Sequence, residues 1–325
     1  MSQNYYTGPG KAYFNSVGLQ ANGAQGTIKA SLIEKTSDAG TAQFGKIAET
    51  LDDQYAEVEL TPFDNWGLMT TLFPTFLGVT TGTNTGALLI GTRPHTASNV
   101  PLKIFTPDGR LYNFVRAALT AHPTLNLGNG QPLYGNVKFT ALGDITKNPG
   151  DSAFLLAGNA ITESAGSDPG GAMTMSDFIR GKWTAAWGTL AGFGGDGGSA
   201  MEAEDGWQLV PDIKYSARTV QKVTRHMVLD SVSFMLKGRP VGPTQTQLAT
   251  QLLTHAAGSR FGAGTNAADV VLTGPSSKTI TLKQAELKGA GFEFGGTKLG
   301  NGEIGFVISQ TFTTGAANPM LVISA

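Results

Sequence analysis

The chain has 325 residues, enough for two ordinary domains, and 40% of them are hydrophobic, which allows a packed core and argues against intrinsic disorder. Its net charge is −1, from 23 basic and 24 acidic residues, so there is no basic surplus for tight binding of nucleic acid. The chain contains no cysteine, which excludes disulfides and thiolate metal sites.

Charged residues make up only 14% of the chain, against roughly 25% in typical domains. A surface with so few charges is favoured when partners cover much of it. The first residues, Met1–Tyr6, lack the basic-then-apolar order of a secretory signal, and no stretch approaches 18 consecutive apolar residues. We therefore expect a protein made in the cytoplasm that makes no membrane contact.

In chain order, the first predicted elements are an entry strand near Lys11–Phe14 and a long hairpin that includes Val58–Leu60. A short helix is predicted from Asp64 towards Pro74, with Trp66, Met69 and Phe73 on one side. Three strands then follow between residues 102 and 142. Their apolar residues recur at every second position, which is the period of a strand with one buried face.

The segment 146–170 is rich in Gly and Pro and is predicted to be a linker. It separates a first domain with an N-terminal arm, residues 1–145, from a second domain, residues 171–325. The second domain is predicted to repeat the pattern, with an entry strand at 181–185, a hairpin strand at 232–234 and final strands within 270–308. Its helix is predicted to run from an N-cap at Thr244 to a stop at Gly258.

An internal repeat supports this division. Pro107 and Pro275 are 168 residues apart (275 − 107), and the same separation joins Tyr112 with Ile280, Phe114 with Leu282, Ala117 with Ala285 and Leu119 with Leu287. After the loss of one residue near His122, the separation becomes 167 (306 − 139) and joins Leu125 with Phe292, Leu127 with Phe294, Gly135 with Gly302, Val137 with Ile304 and Phe139 with Phe306. Further upstream, the repeat pairs 10–14 with 181–185 and 58–60 with 232–234. These matches predict a duplicated domain, and the alternative is two unrelated β-domains that share the same alternation.

The residues that could form a catalytic, metal or nucleotide site do not group into one in the sequence. The four histidines, His95, His122, His226 and His255, are scattered along the chain, so we predict no metal site. Gly300–Gly305 spells a GxGxxG sequence, but strand-forming residues follow it where a nucleotide-binding loop needs a helix. We interpret it as a turn between strands. No catalytic residue and no cofactor is predicted, and the chain is not expected to be an enzyme.

The run Pro107–Phe114, followed by Ala117–Leu119 and Tyr134–Leu142, resembles the closing strands of the major tail tube proteins of long-tailed, siphovirus-type bacteriophages. The segment Gly8–Tyr13 resembles their N-terminal arm. The resemblance covers most of the first half of the chain and reaches the second half through the internal repeat.

This resemblance implies a mainly β protein with two tandem tail-tube-type domains, each a β-sandwich or β-barrel with a short flanking α-helix. It implies a structural virion protein that polymerises into stacked rings, forming a tail tube through which DNA is ejected. Relatives with one domain form rings of six, so a duplicated chain is expected to form a homotrimer with pseudo-sixfold symmetry. The expected location is the tail of the virion, after assembly in the cytoplasm of the bacterial host.

The expected partners are other copies of the chain, the tape measure, tail terminator and baseplate proteins, and double-stranded DNA that passes non-specifically. Candidate contacts between successive rings are Tyr5, Tyr6, Pro9, Lys11, Pro149 and Asp168. Asp52, Glu57 and Glu59 are candidate lumen acids, because a negative wall would repel phosphate. The other interpretation of these acids is an ordinary solvated face.

Two alternatives remain from the sequence. The first is another self-assembling phage-like protein, either a tube protein or a capsid decoration protein. The second is a β-sandwich carbohydrate-binding module, since a shallow sugar site can leave little trace in a sequence.

Overall fold

The computed structural model describes most of the strands of both halves of the chain. The described residues are 11–19, 29–38, 41–42, 45–46, 49–82, 84, 86, 100–105, 110–128, 131–142, 161–165, 181–188, 200–220, 223–241, 268–295, 298–308 and 319–324. Within these ranges, the side chains of 29–55, 110, 161–165, 220, 223, 241 and 288–302 lie outside the description.

The protein is mainly β and has two large sheets, which confirms the predicted fold class. The strands of the first half are β1 (Lys11–Phe14), β2 (Val17–Gly18), β3 (Lys29–Asp38), β4 (Thr41–Ala42), β5 (Gly45–Lys46), β6 (Glu49–Leu60), β7 (Val79–Thr81), β8 (Val100–Phe105), β9 (Arg110–Ala121), β10 (Leu125–Leu127), β11 (Val137–Ala141) and β12 (Ile161–Ala165). The strands of the second half are β13 (Thr184–Trp187), β14 (Met201–Val220), β15 (Val223–Val241), β16 (Ala268–Thr273), β17 (Thr279–Gly295), β18 (Lys298–Ile308) and β19 (Leu321–Ile323).

The two halves share one strand order, as a duplicated domain requires. The first sheet contains the order β1-β8-β9-β11-β6-β3, and the second contains β13-β16-β17-β18-β15-β14. In the second half, β13 also pairs with β14, so these six strands close on themselves. A bulge recurs at the equivalent place in the two halves: it lies between Val100 and Leu102 in the first and between Ala268 and Val270 in the second. Because β-bulges are usually kept within a protein family, a bulge shared by the two halves supports a common origin for them.

The registers correct two details of the sequence repeat. Ala12 pairs with Ile104 and Ala185 pairs with Leu272, so the equivalent of Phe14 is Trp187 and not Ala185. Both rings are buried and make the same contact: Phe14 lies 4.8 Å from Phe139, and Trp187 lies 5.1 Å from Phe306, between ring centroids.

The hairpin strands need a larger correction. Val58 pairs with Phe139 and Leu236 pairs with Phe306, so Val58 is equivalent to Leu236, four residues beyond Val232 (236 − 232). In this register Asp52 is equivalent to Asp230. Each is the extra residue of a bulge, one opposite Lys35 and Thr36, the other opposite Lys214 and Tyr215.

The predicted first helix is present but short. It consists of a 3₁₀ turn at Trp66–Leu68, the helix α1 (Met69–Leu72) and a second 3₁₀ turn at Thr75–Leu77. The Asn65 side chain caps the first turn by accepting a hydrogen bond from the Gly67 amide at 2.7 Å. Pro74 then separates the last two turns, because it has no amide hydrogen to continue the helix. The predicted second helix, from Thr244 to Gly258, lies outside the described residues.

Two other sequence interpretations are corrected. Gly300–Gly305 lies inside β18 and is not a turn, since its residues pair with β15 and β17. The segment predicted as a linker contains β12, whose residues Ile161–Ala165 pair with β9. The position of β12 against β9 matches that of β19 against β17, so β12 belongs to the repeated unit.

Candidate assembly surface

The seam between the two halves is the surface along which the first half packs against the second. Its first contact is a strand exchange, in which β10 of the first half pairs with β14 of the second, Leu125 opposite Leu209 and Leu127 opposite Trp207. All four side chains are fully buried. At the exposed position between them, Gln208 Nε2 donates to Asn126 Oδ1 at 3.4 Å. The sheet of the second half therefore continues into the first half.

Two glycines allow this close approach. Gly206 has a φ of +83°, and a Cβ there would lie 2.4 Å from the Cα of Gly128 and 2.8 Å from the carbonyl oxygen of Leu127. Gly128 is one of the residues that follow β10, so backbone meets backbone where the halves join.

Gly206→Ala is expected to lower the free energy of unfolding by about 2 kcal/mol, because alanine adds backbone strain and a clash with atoms that cannot rotate away. Chemical denaturation of the wild-type and variant chains measures the loss. The matched control is Gly82→Ala, at φ +55° with nothing within 4 Å of the added Cβ. Strain alone should cost this control about 1 kcal/mol. Equal losses in the two variants would contradict the close approach at the seam.

A second strand contact joins the halves near the end of the chain. β19 pairs in parallel with β7, with Leu321 opposite Val79 and Ile323 opposite Thr81. The Met320 amide also donates to the Gly78 carbonyl at 2.7 Å. Because β19 pairs with β17 on its other side, a strand of the first half extends the second sheet.

Two tryptophans pack beside this strand contact. The rings of Trp66 and Trp183 stack with centroids 5.9 Å apart, and both are buried. Trp66 Nε1 donates to the Ser324 carbonyl at 3.1 Å, and the Lys278 ammonium lies 5.9 Å from the Trp66 ring centre. Buried aromatic anchors with a satisfied polar atom are typical of protein interfaces.

The long hairpin of the second half forms the third contact. Strands β14 and β15 have 20 and 19 residues, and their far part reaches the first half. There Tyr215 and Met227 pack against the buried side chains of Ala118 and Leu142. The hairpin therefore covers a face of the first sheet that would otherwise meet water.

A buried histidine fixes this hairpin. His122 Nδ1 lies 2.6 Å from the Leu72 carbonyl oxygen, and its Nε2 lies 2.8 Å from the Tyr215 hydroxyl. A carbonyl can only accept, so Nδ1 carries the hydrogen and Nε2 accepts from Tyr215. Burial lowers the pKa of His122 to about 4, although the Leu72 hydrogen bond acts in the opposite direction. His122 is therefore neutral near pH 7.

The candidate lumen acids lie on one strand, β6. Glu57 is half-buried and forms an ion pair with Lys138 at 2.6 Å, while Glu59 is exposed and stands opposite Lys138 in the register. Asp52 lies at the bulge of β6, and its side chain is outside the description. Its equivalent Asp230 is exposed and accepts a hydrogen bond from Ser216 at 2.9 Å. The face that carries Glu57 and Glu59 is therefore mixed in charge.

Of the six candidate contacts between rings, only Lys11 is among the described residues. Lys11 begins β1 and stands opposite Phe105. Tyr5, Tyr6, Pro9, Pro149 and Asp168 lie outside the described residues. The residues that form the seam, above all Trp66, His122 and Tyr215, were not predicted as site residues. The signal in the sequence was the set of tryptophans Trp183, Trp187 and Trp207, since tryptophans with few basic neighbours fit core or interface packing.

The described ranges contain no group of three His, Asp or Glu side chains placed to hold a metal ion. None of the helices in the same ranges has the length and apolar character that a membrane span needs. The chain matches no protein-family model, and no curated protein matches it.

Proposed function

We propose that this chain is a structural virion protein that polymerises into stacked rings and forms the tail tube of a long-tailed bacteriophage, a conduit for DNA ejection. The seam between the halves carries this proposal. It is heterologous, since one half offers β10 and a sheet face while the other offers β14 and its hairpin. A contact between two different surfaces can be repeated from domain to domain, and it closes a ring when the rotation allows.

The duplication sets the expected number of chains. Each chain carries two domains with one strand order, so three chains supply six similar domains. Such a trimer has the pseudo-sixfold symmetry that the resemblance to tail tube proteins implies. The tape measure, tail terminator and baseplate proteins are the partners proposed on the same ground.

Passive conduction of DNA needs a wall that does not hold phosphate. The chain has a net charge of −1, and Glu57 forms an ion pair with Lys138 while Glu59 beside it is exposed. A near-neutral or mildly acidic wall limits sticking, because tight binding of DNA requires many basic contacts to phosphate. We propose Asp52, Glu57 and Glu59 as residues of that wall.

Electron microscopy of the purified full-length chain tests the proposal. The expected result is hollow tubes with regular striations, in which each ring contains three chains and six similar domains. Six chains in each ring would contradict the trimer. A chain that stays monomeric, or that forms only compact particles without a channel, would contradict the tail tube.

A further inference from the structure

The first half presents a strand edge that is occupied in the second half. In the second half, the edge of β14 at Trp207–Leu209 pairs with β10. The equivalent strand of the first half is β3, which among the described strands pairs only with β6. An open strand edge can accept a further strand.

The same comparison identifies the strand that fits. Leu125 is equivalent to Phe292, since Leu125 forms a bridge with Tyr134 and Phe292 pairs with Asn301 at the corresponding place. The equivalent of β10 is therefore the end of β17, from Phe292 onwards. Among the described strands, this part of β17 pairs only with β18. One chain thus has both a donor strand, in its second half, and an acceptor edge, in its first half.

We propose that a second copy of this chain fills the edge: the end of β17 in one copy pairs antiparallel with the start of β3 in the next. The register is that of β10 on β14, which places Phe292 opposite Ala30 and Glu293 opposite Lys29. This inference rests on the proposed function and specifies the contact that would close each ring.

Charge supports this register. Inside the chain, the middle position of the strand pair holds Asn126 and Gln208, two neutral amides joined by a hydrogen bond. Between copies, the same position holds Glu293 and Lys29, which have opposite charges. Lys29 also stands opposite Glu59 within its own chain, so the lysine would lie between two acidic positions. Opposite charges directly across two strands are favourable, whereas like charges are unfavourable.

The edge of β12 also supports a second copy of the chain as the partner. β19 pairs with β17 on one side and with β7 of the other half on its other side. Its equivalent β12 pairs with β9 at the matching register, and among the described strands it has no second neighbour. The two acceptor edges, on β3 and β12, both belong to the first half, as expected if the second half of another copy docks there.

Cysteine pairing tests the register directly, because the natural chain has no cysteine. The variant Glu293→Cys with Lys29→Cys is oxidised under assembly conditions and run on a non-reducing gel. Directly opposed residues of an antiparallel pair bring their Cβ atoms to about 5 Å, close enough for a disulfide after a small adjustment. The expected result is covalent dimers and trimers that disappear on reduction. The control Asn126→Cys with Gln208→Cys should form its disulfide within one chain and give no ladder.

Charge reversal gives an independent measurement. Glu293→Lys alone and Lys29→Glu alone should each raise the concentration needed for assembly by about tenfold. The double variant should recover part of this loss, and only part, because the glutamate introduced at position 29 would still stand opposite Glu59 of its own chain. Lys214→Glu, an exposed lysine away from the proposed edge, should leave assembly unchanged. Circular dichroism of each soluble variant confirms that the fold is intact.

The outcomes separate this inference from the proposed function. Tubes from the natural chain without a cysteine ladder, or without recovery in the double charge variant, would overturn the β17–β3 contact and leave the tail tube standing. A natural chain that never assembles would overturn both. A ladder that reaches trimers, together with charge recovery, supports the contact and its register.

Discussion

Trp187→Ala is expected to lower the free energy of unfolding by about 4 kcal/mol, the usual loss when a large aromatic side chain is removed from a core. Trp187 is 1% exposed, and its ring meets the edge of Phe306 with centroids 5.1 Å apart. Its Nε1 also donates to the Ala285 carbonyl at 3.1 Å. Alanine would therefore leave a cavity and a buried carbonyl without this partner. Urea unfolding followed by far-ultraviolet circular dichroism measures the loss.

The duplicated domain provides the control. Phe14 occupies the equivalent position in the first half and packs against Phe139, the equivalent of Phe306. A phenylalanine ring therefore suits the geometry of this site, and Trp187→Phe should cost about 2 kcal/mol, chiefly from the smaller ring and the lost hydrogen bond. If Trp187→Phe cost as much as Trp187→Ala, the two sites would not be equivalent in packing.

The alternation of apolar residues was sufficient to predict the core strands of both halves. Six residues were expected to face inward: Tyr112, Phe114, Leu125, Leu127, Val137 and Phe139. Tyr112 is half-buried and packs against the core, and the other five are buried. This succeeds because the side-chain period of a strand is a local property, so that the buried face can be read without knowing the neighbouring strand.

The register of the hairpins could not be read in the same way. The repeat in the sequence paired Val58 with Val232, whereas the sheet makes Leu236 its equivalent. A shift of four residues is even, so it leaves the buried face unchanged and the alternation gives no warning. The information lies instead in the cross-strand neighbours and in the bulge at Asp52 and Asp230.

The seam was beyond prediction from the sequence for a different reason. Trp66 reaches Ser324 across 258 residues, and His122 reaches Tyr215 across 93. A single histidine or tryptophan carries no local mark of such a partner. The repeat predicted that each half forms a domain, but not that β10 would leave its own sheet to pair with β14. That exchange depends on how the two domains pack.

Acidification is expected to loosen this seam. The pKa of His122 is about 4 in the folded chain because the ring is buried, against an ordinary value of 6.5. Between these values the unfolded chain binds more protons than the folded chain, so stability is lost as pH falls from about 6.5 to 4. At 1.36 kcal/mol for each unit of pKa, His122 accounts for a loss of about 3 kcal/mol over this range, and above pH 6.5 its contribution is constant.

His122→Gln isolates this contribution, since glutamine does not titrate. Urea unfolding at pH 7 and pH 4.5 should show a smaller loss in this variant than in the natural chain. His226→Gln is the matched control, because burial together with Arg116 and Arg225 also lowers the pKa of His226 at a more accessible place. An unchanged pH dependence in His122→Gln would contradict the neutral, buried histidine. Protonation would place a charge in a buried site, so acid should loosen the hairpin on the first half, and hydrogen exchange of β14 around Tyr215 should accelerate before that of the buried strand β11.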